Sequence, residues 1–205
     1  MTGSNEKADL HRYLQQARDA MLWKLDGLSE YDIRRPLVPT GTNLLGLVKH
    51  LADVEFGYFG TTFGRPSADE LPFPEDDPLS DMFADAAESR AQVTGLYQKA
   101  WAHSDATIEA LPLDATGRVP HWPAEHSEVT LHRVMVHVTV DTQRHAGQAD
   151  IIRELIDGAA GLRKGDTNPP PDGWTWAAHR DRVERAAREA AEASSGERRN
   201  AGETA

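Results

Sequence analysis

The sequence contains no cysteine. Disulfides, thiolate metal ligands and a cysteine nucleophile are therefore excluded, and a reducing, cytoplasmic setting is expected. No apolar run approaches the roughly 20 residues that a membrane-spanning helix needs. The opening MTGSNEKADLHRY also lacks the basic-then-apolar pattern of an export signal. Basic residues are scarce relative to acids: 22 Lys and Arg against 33 Asp and Glu give a formal net charge of −11. That balance argues against nucleic acid or an anionic membrane surface as the main partner. What remains, 205 residues of which 39% are hydrophobic, is enough for one soluble domain with a real core.

Period-3.6 patterning dominates. From about Lys7 to Leu28, the residues Leu10, Tyr13, Leu14, Ala17, Met21, Leu25 and Leu28 recur at three- and four-residue steps, a bundle-facing stripe. Trp23 lies off that stripe, available to a loop, to the C-terminal tail or to a dimer contact. SEYDIRRPLVPTGTN breaks the pattern with Pro36, Pro39 and Gly41. A second helix follows, capped by Thr42 or Asn43, and buries Leu44, Leu47, Val48, Leu51, Val54 and Tyr58. His50 sits at the edge of that face. Glu55 sits nearer its middle, where an acid requires a hydrogen bond or an ion pair. The acidic, proline-rich stretch from Gly64 to Pro78 reads as a loop over one end of the molecule, either simply solvated or a lid. A third helix is expected from about Ser80 to Leu111, with Met82, Phe83, Val93, Tyr97 and Trp101 among its core residues.

PLDATGRVPHWPAEHSE then reads as an irregular connection whose Trp122 covers a pocket. Its His121 and His126, with His132 just beyond, make a poor metal cluster because a proline-broken loop fixes ligands badly. The fourth helix runs from a cap at Ser127 or Thr130 to Gly158. Beyond it come a proline-stiffened strap with Trp174 and Trp176 as apolar anchors, a short charged surface helix, and a disordered SSGERRNAGETA end. The expected architecture is all-α: an up-and-down four-helix bundle without a sheet over residues 1–160, followed by a partly packed tail over 161–205.

The functional signal lies in VTLHRVMVHVTVDTQRHAGQADIIRELIDG, residues Val129–Gly158. Its apolar residues Leu131, Val134, Val138, Ala149 and Ile152 share one helical face, and Asp141 and His145 fall inside that face one turn apart. Burying a carboxylate and an imidazole costs several kcal/mol unless they are paired or bound to a metal. With His50 on the second helix they would form a two-histidine, one-carboxylate set suited to Zn²⁺, Fe²⁺ or Ni²⁺. Three ligands leave positions free for water or substrate, as catalytic sites require. Nine histidines make one four-residue pairing with an acid unremarkable, so spacing alone leaves both a metal site and a buried hydrogen bond open.

LLGLVKHLADVEFGYFG, followed about eighty residues later by VHVTVDTQRHAGQADIIREL, resembles the DinB-like and YfiT-like superfamily. Within it, WKLDGLSEYDIRRPLVPTGTNLLGLVKHLADVE is similar to an actinobacterial branch. The resemblance covers about Leu10 to Leu155. It implies a four-helix bundle with a divalent metal at one end, bound by His50, Asp141 and His145; aspartate replaces the histidine or glutamate of many members at the middle position. His137, about 80° around the helix from His145 by ideal geometry, would support the shell or lie on the surface. The resemblance further implies a thiol cosubstrate such as mycothiol, used in transfer or in isomerisation, as in mycothiol-dependent maleylpyruvate isomerase. Zinc is the first expectation, with nickel or iron as alternatives, and a homodimer is the expected assembly. A non-catalytic, stress-related metal-binding protein or dimeric binding module is the competing expectation.

Overall fold

The computed structural model describes residues 6–70, 77–165 and 170–202, with side chains through 194. Its first unit contains helices α1 (Glu6–Trp23), α2 (Glu30–Arg34), α3 (Leu44–Glu55), α4 (Arg90–Ala110) and α5 (Leu131–Asp157). The α1 helix packs along α5 and α3 along α4, and α3 also meets α5. The fold is thus the expected all-α bundle. The helix ends follow local chemistry. The Asn43 side chain accepts the Gly46 N–H at the start of α3, Ser89 and Gln92 form a capping box on α4, and Thr130 caps α5. Gly158 ends α5 at φ 79°, a left-handed conformation that favours glycine.

Two apolar clusters fill the interior. One centres on Met21, Leu45, Leu51, Phe56, Tyr97 and Ile152, the other on Leu14, Phe59, Val134 and Val138. A buried ion pair runs between them. Arg18 on α1 donates from Nε to Glu55 Oε1 at 2.8 Å and from Nη2 to Glu55 Oε2 at 2.6 Å. Its Nη1 reaches Asp105 Oδ1 of α4 at 2.8 Å. Both side chains of the Arg18–Glu55 pair are 0% exposed. Burial alone would lower the guanidinium pKa, but Glu55 and Asp105 outweigh it and hold Arg18 charged. Of the hydrogen bond or ion pair expected for Glu55, the structure has a hydrogen-bonded ion pair, and its partner is Arg18, a residue left out of the apolar stripe read on this helix.

Several expected boundaries shift. The first helix ends at Trp23, and hydrogen-bonded turns carry the chain on to Leu28. Arg153 holds those turns by donating to the Lys24 and Asp26 carbonyls, while Lys24 pairs with Asp150 and the Gly161 carbonyl. Trp23 lies against this loop, its Nε1–H donating to the Leu162 carbonyl. Tyr13, expected inside, is 52% exposed. The third helix starts at Arg90 rather than Ser80; residues 78–88 form turns and bends, with Phe83 exposed. Their carbonyls are taken up by side chains instead of a helical ladder, since Lys49 donates to Ser80 O and Phe83 O and Arg34 to Ala84 O, Asp85 O and Glu88 O. The connection read as irregular contains a small antiparallel sheet, β1 (Thr116–Arg118) with β2 (Glu128–Thr130), paired Thr116 to Thr130 and Arg118 to Glu128. The absence of any sheet was therefore a wrong expectation.

A second compact unit begins at Asn168. Its helix α6, Trp176–Gly202, is 27 residues long rather than short, and its backbone is helical through most of the segment expected to be disordered. Trp174 and Trp176, expected as anchors, are 50% and 56% exposed. Part of the proposed lid, residues 71–76, lies outside the described residues. No helix among the described residues is long and apolar enough to cross a membrane.

Replacing Arg18 with Met leaves Glu55 buried without its counter-charge. The expected loss is about 3–5 kcal/mol of folding stability, read from urea denaturation at pH 7. A loss within experimental error would show that Glu55 does not depend on Arg18.

Candidate functional site

The α3 helix does not stop cleanly at Glu55. Phe56–Gly60 form one π-helical turn and Thr61–Phe63 a 3₁₀ turn. Such widened turns occur frequently at functional sites. Along this continuous element His50, Asp53, Val54, Gly57, Tyr58 and Thr61 face one cavity of about 620 Å³. The helical repeat makes them neighbours. The remaining walls are Glu70 and Asp81 from the segment between α3 and α4, Pro120 and His121 from the β1–β2 connection, and His137 and Asp141 from α5.

At one end of the cavity, ligand atoms of His50, Asp141 and His145 all lie within 4.8 Å of one another. The structure thus brings together the three residues singled out from the sequence. His145 Nε2 is 3.7 Å from Asp141 Oδ1, and the His50 and His145 rings meet edge to face at 5.0 Å. Each histidine has its other nitrogen engaged. His50 Nδ1 is 2.6 Å from Asp81 Oδ2, and His145 Nδ1 is 2.8 Å from Gln148 Oε1. A carboxylate and an amide oxygen can only accept there, so each ring carries its proton on Nδ1 and presents the Nε2 lone pair. Two imidazole nitrogens and a carboxylate oxygen at this separation suit a divalent cation of the zinc, nickel or iron type. Outer partners that fix the imidazole tautomer are characteristic of metal-binding histidines.

Asp81 arrives from outside the helices. Asn43 Nδ2 donates to the Met82 carbonyl, and Lys49 pairs with Glu88 as well as holding the Ser80 and Phe83 carbonyls. Gly46 allows this approach: a Cβ there would stand 1.8 Å from Met82 O. Neither Asp81 nor its role was legible, because the segment read as helix. Gln148 was legible in principle, three residues after His145 on the same face. On the other side of the cavity a Cβ on Gly117 would meet Thr62 O at 2.6 Å, so the hairpin sits directly on the 3₁₀ turn.

That hairpin contact carries the 119–123 loop to the cavity. Trp122 Nε1–H donates to Tyr58 Oη at 3.1 Å, and His121 Nε2 lies 3.3 Å from the same oxygen. His137 packs between them, 4.8 Å from the Tyr58 ring and 5.1 Å from the Trp122 ring. His121, read as a poor metal ligand, is not part of the three-residue cluster but does line the cavity. His126 and His132 are exposed. Trp122, expected to cover a pocket, packs its ring against Tyr58 and His137 and is not among the residues that line the cavity. Burial raises the Tyr58 pKa and lowers that of His137, keeping both neutral.

Among the described residues the lining carries four carboxylates, Asp53, Glu70, Asp81 and Asp141, and no lysine or arginine. Asp53 shows the consequence. Burial, then the charges of Asp81 and Glu70, raise its pKa to about 6, against a smaller opposing effect of His50.

Residues 9–158 match the sequence model of the mycothiol-S-transferase family, from the first turn of α1 to the end of α5. Comparison with curated proteins gives no match.

Two outcomes follow from this geometry. Gly46→Ala should displace the Met82 backbone and uncouple Asp81 from His50; long-range ¹H–¹⁵N spectra should then show the His50 proton spread over both nitrogens. A single, unchanged Nδ1–H tautomer would contradict that. The second concerns Asp53. A carboxyl whose folded pKa lies above its unfolded value near 3.8 favours folding at low pH, and that contribution is lost as pH rises through about 6. Asp53→Asn should therefore raise the melting temperature at pH 8 relative to wild type but not at pH 4, measured in chelator. An equal shift at both pH values would remove the titration from the account.

Proposed function

Because the chain belongs to the mycothiol-S-transferase family, we propose that it transfers the sulfur of mycothiol to a small electrophile at a divalent-cation centre held by His50, Asp141 and His145. The observation carrying this reading is that one ligand atom from each of these three residues lies within 4.8 Å of the others, with both histidines hydrogen-bonded at Nδ1. The cation is zinc, with nickel or iron as the other ions that fit the donor set. A cation there supplies Lewis acidity that lowers the pKa of an approaching thiol. A protein without cysteine needs such a cosubstrate to provide a sulfur nucleophile.

The chain's own residues do the rest. Asp81 and Gln148 hold the two imidazoles in the ligating tautomer. Asp53 accepts the thiol proton, its pKa being close to neutrality. The sulfur bonds to the electrophilic carbon, and the displaced electron pair leaves with a departing group or moves onto a conjugated oxygen. The cavity of about 620 Å³ has room for a small second substrate beside the thiol. Only three ligands converge among the described residues and the cavity is open beside them, which favours catalysis over a closed structural metal site.

The test is metal analysis of protein purified without a histidine tag, followed by mycothiol consumption assays. His50→Ala and His145→Ala should reduce bound metal to near background. Asp81→Asn should keep the ligands but weaken affinity roughly 10–100-fold. Full metal content in both histidine variants would refute the assignment.

A further inference from the structure

On the wall formed by the π-helical turn, Tyr58 is more elaborately held than packing requires. Its oxygen accepts the Trp122 indole N–H at 3.1 Å. An indole nitrogen can only donate, so the phenol hydrogen is left to point elsewhere. His121 Nε2 lies 3.3 Å from the same oxygen, on an exposed side chain that also lines the cavity; in its Nε2–H tautomer it is a second donor there, which leaves the phenol hydrogen free to face the cavity. A phenol thus stands in the cavity wall with its oxygen held by an indole N–H and a solvent-linked imidazole N–H, and its own proton free for the cavity. The π-helical turn sets the backbone beneath it: the Thr61 N–H is shared between the Phe56 and Gly57 carbonyls. Raised by burial, the phenol pKa keeps the proton in place at rest.

We infer that Tyr58 is the proton donor to the second substrate, with His121 as the positioning residue that resupplies it, and that the electrophile is a conjugated carbonyl compound. The inference rests on the thiol-transfer reading above. A halide or similar leaving group departs as a stable anion and needs no proton. An α,β-unsaturated carbonyl does need one. Sulfur bonds to the β-carbon, the C=C pair moves onto the carbonyl oxygen, and Tyr58 gives its proton to that oxygen. Tyr58 recovers a proton from His121 Nε2–H, while the imidazole takes one from water at Nδ1 and the thiol proton returns to solvent through Asp53. The enol so formed tautomerises to the ketone and the exposed imidazole regains its tautomer by exchange with water, so the products are the thioether adduct and no net change in the protein. The acidic lining makes this donor more necessary, since Asp53, Glu70, Asp81 and Asp141 repel a developing oxyanion and the described lining residues include no lysine or arginine.

The test compares two electrophiles with the same thiol. Mycothiol is presented with 2-cyclohexenone, whose addition requires a proton donor, and with iodoacetamide, whose alkylation expels iodide. Background rates are subtracted, and metal content and melting temperature are measured for every variant. Tyr58→Phe should lower kcat/KM for the enone at least about tenfold more than for iodoacetamide, in keeping with general-acid contributions. His121→Gln, which leaves the phenol in place and serves if Tyr58→Phe folds poorly, should lower kcat for the enone with KM little changed. Equal losses on both electrophiles, or no loss on the enone, would overturn the assignment. Wild-type protein that alkylates with iodoacetamide but leaves the enone untouched overturns the role of Tyr58 and leaves thiol transfer standing. Consumption of neither electrophile removes both.

Discussion

The bidentate contact between Arg18 and Glu55 is the constraint on which the rest of the bundle depends. It lies wholly inside the protein, and through Asp105 it joins three helices at one level. Glu55 is the last residue of regular α-helix before the backbone widens. Fixing that carboxylate fixes the point at which the π-helical turn begins, and hence the direction in which Gly57 and Tyr58 face. An apolar pair in its place would hold the helices together but would define their register less sharply. The cavity inherits its geometry from a charge pair that never touches it.

The bundle was legible because its helices bury continuous stripes and carry ordinary signals at their ends. Asn43, Thr130 and Gly158 mark real boundaries, and each does so by satisfying or terminating backbone hydrogen bonds that any helix leaves open. The errors fall where side chains replace that ladder. Residues 78–88 contain helix-compatible apolar residues, but their carbonyls are satisfied by Lys49, Arg34 and Asn43 from elsewhere in the chain, and no local pattern reports such partners. The three-residue strands beside Gly117 are likewise too short for alternation to be read. Tyr13 shows the opposite failure, a residue of the right type and spacing that ends on the outside.

The pairing of Asp141 with His145 was readable from its four-residue step, and His50 from the resemblance of its surrounding motif. Their convergence is a property of helix packing and not of either helix alone. Asp81 reaches the cavity from a segment that reads as helix, and His121 from a proline-broken connection, and neither pattern reports a docked loop. Loops are poor scaffolds when free, but here two glycines remove the barrier to close docking, and the loops become walls.

The attachment of Asp81 through a turn has a thermodynamic corollary. His50 presents its free nitrogen correctly only while that turn is docked on α3. Whatever engages the free nitrogen therefore favours the docked turn, and by linkage the docked turn favours the engagement to the same degree. Order in the 78–88 segment and occupancy of the histidine centre are thus two readings of a single equilibrium, so protection of the Met82 and Phe83 amides from solvent exchange reports on a site those residues do not line.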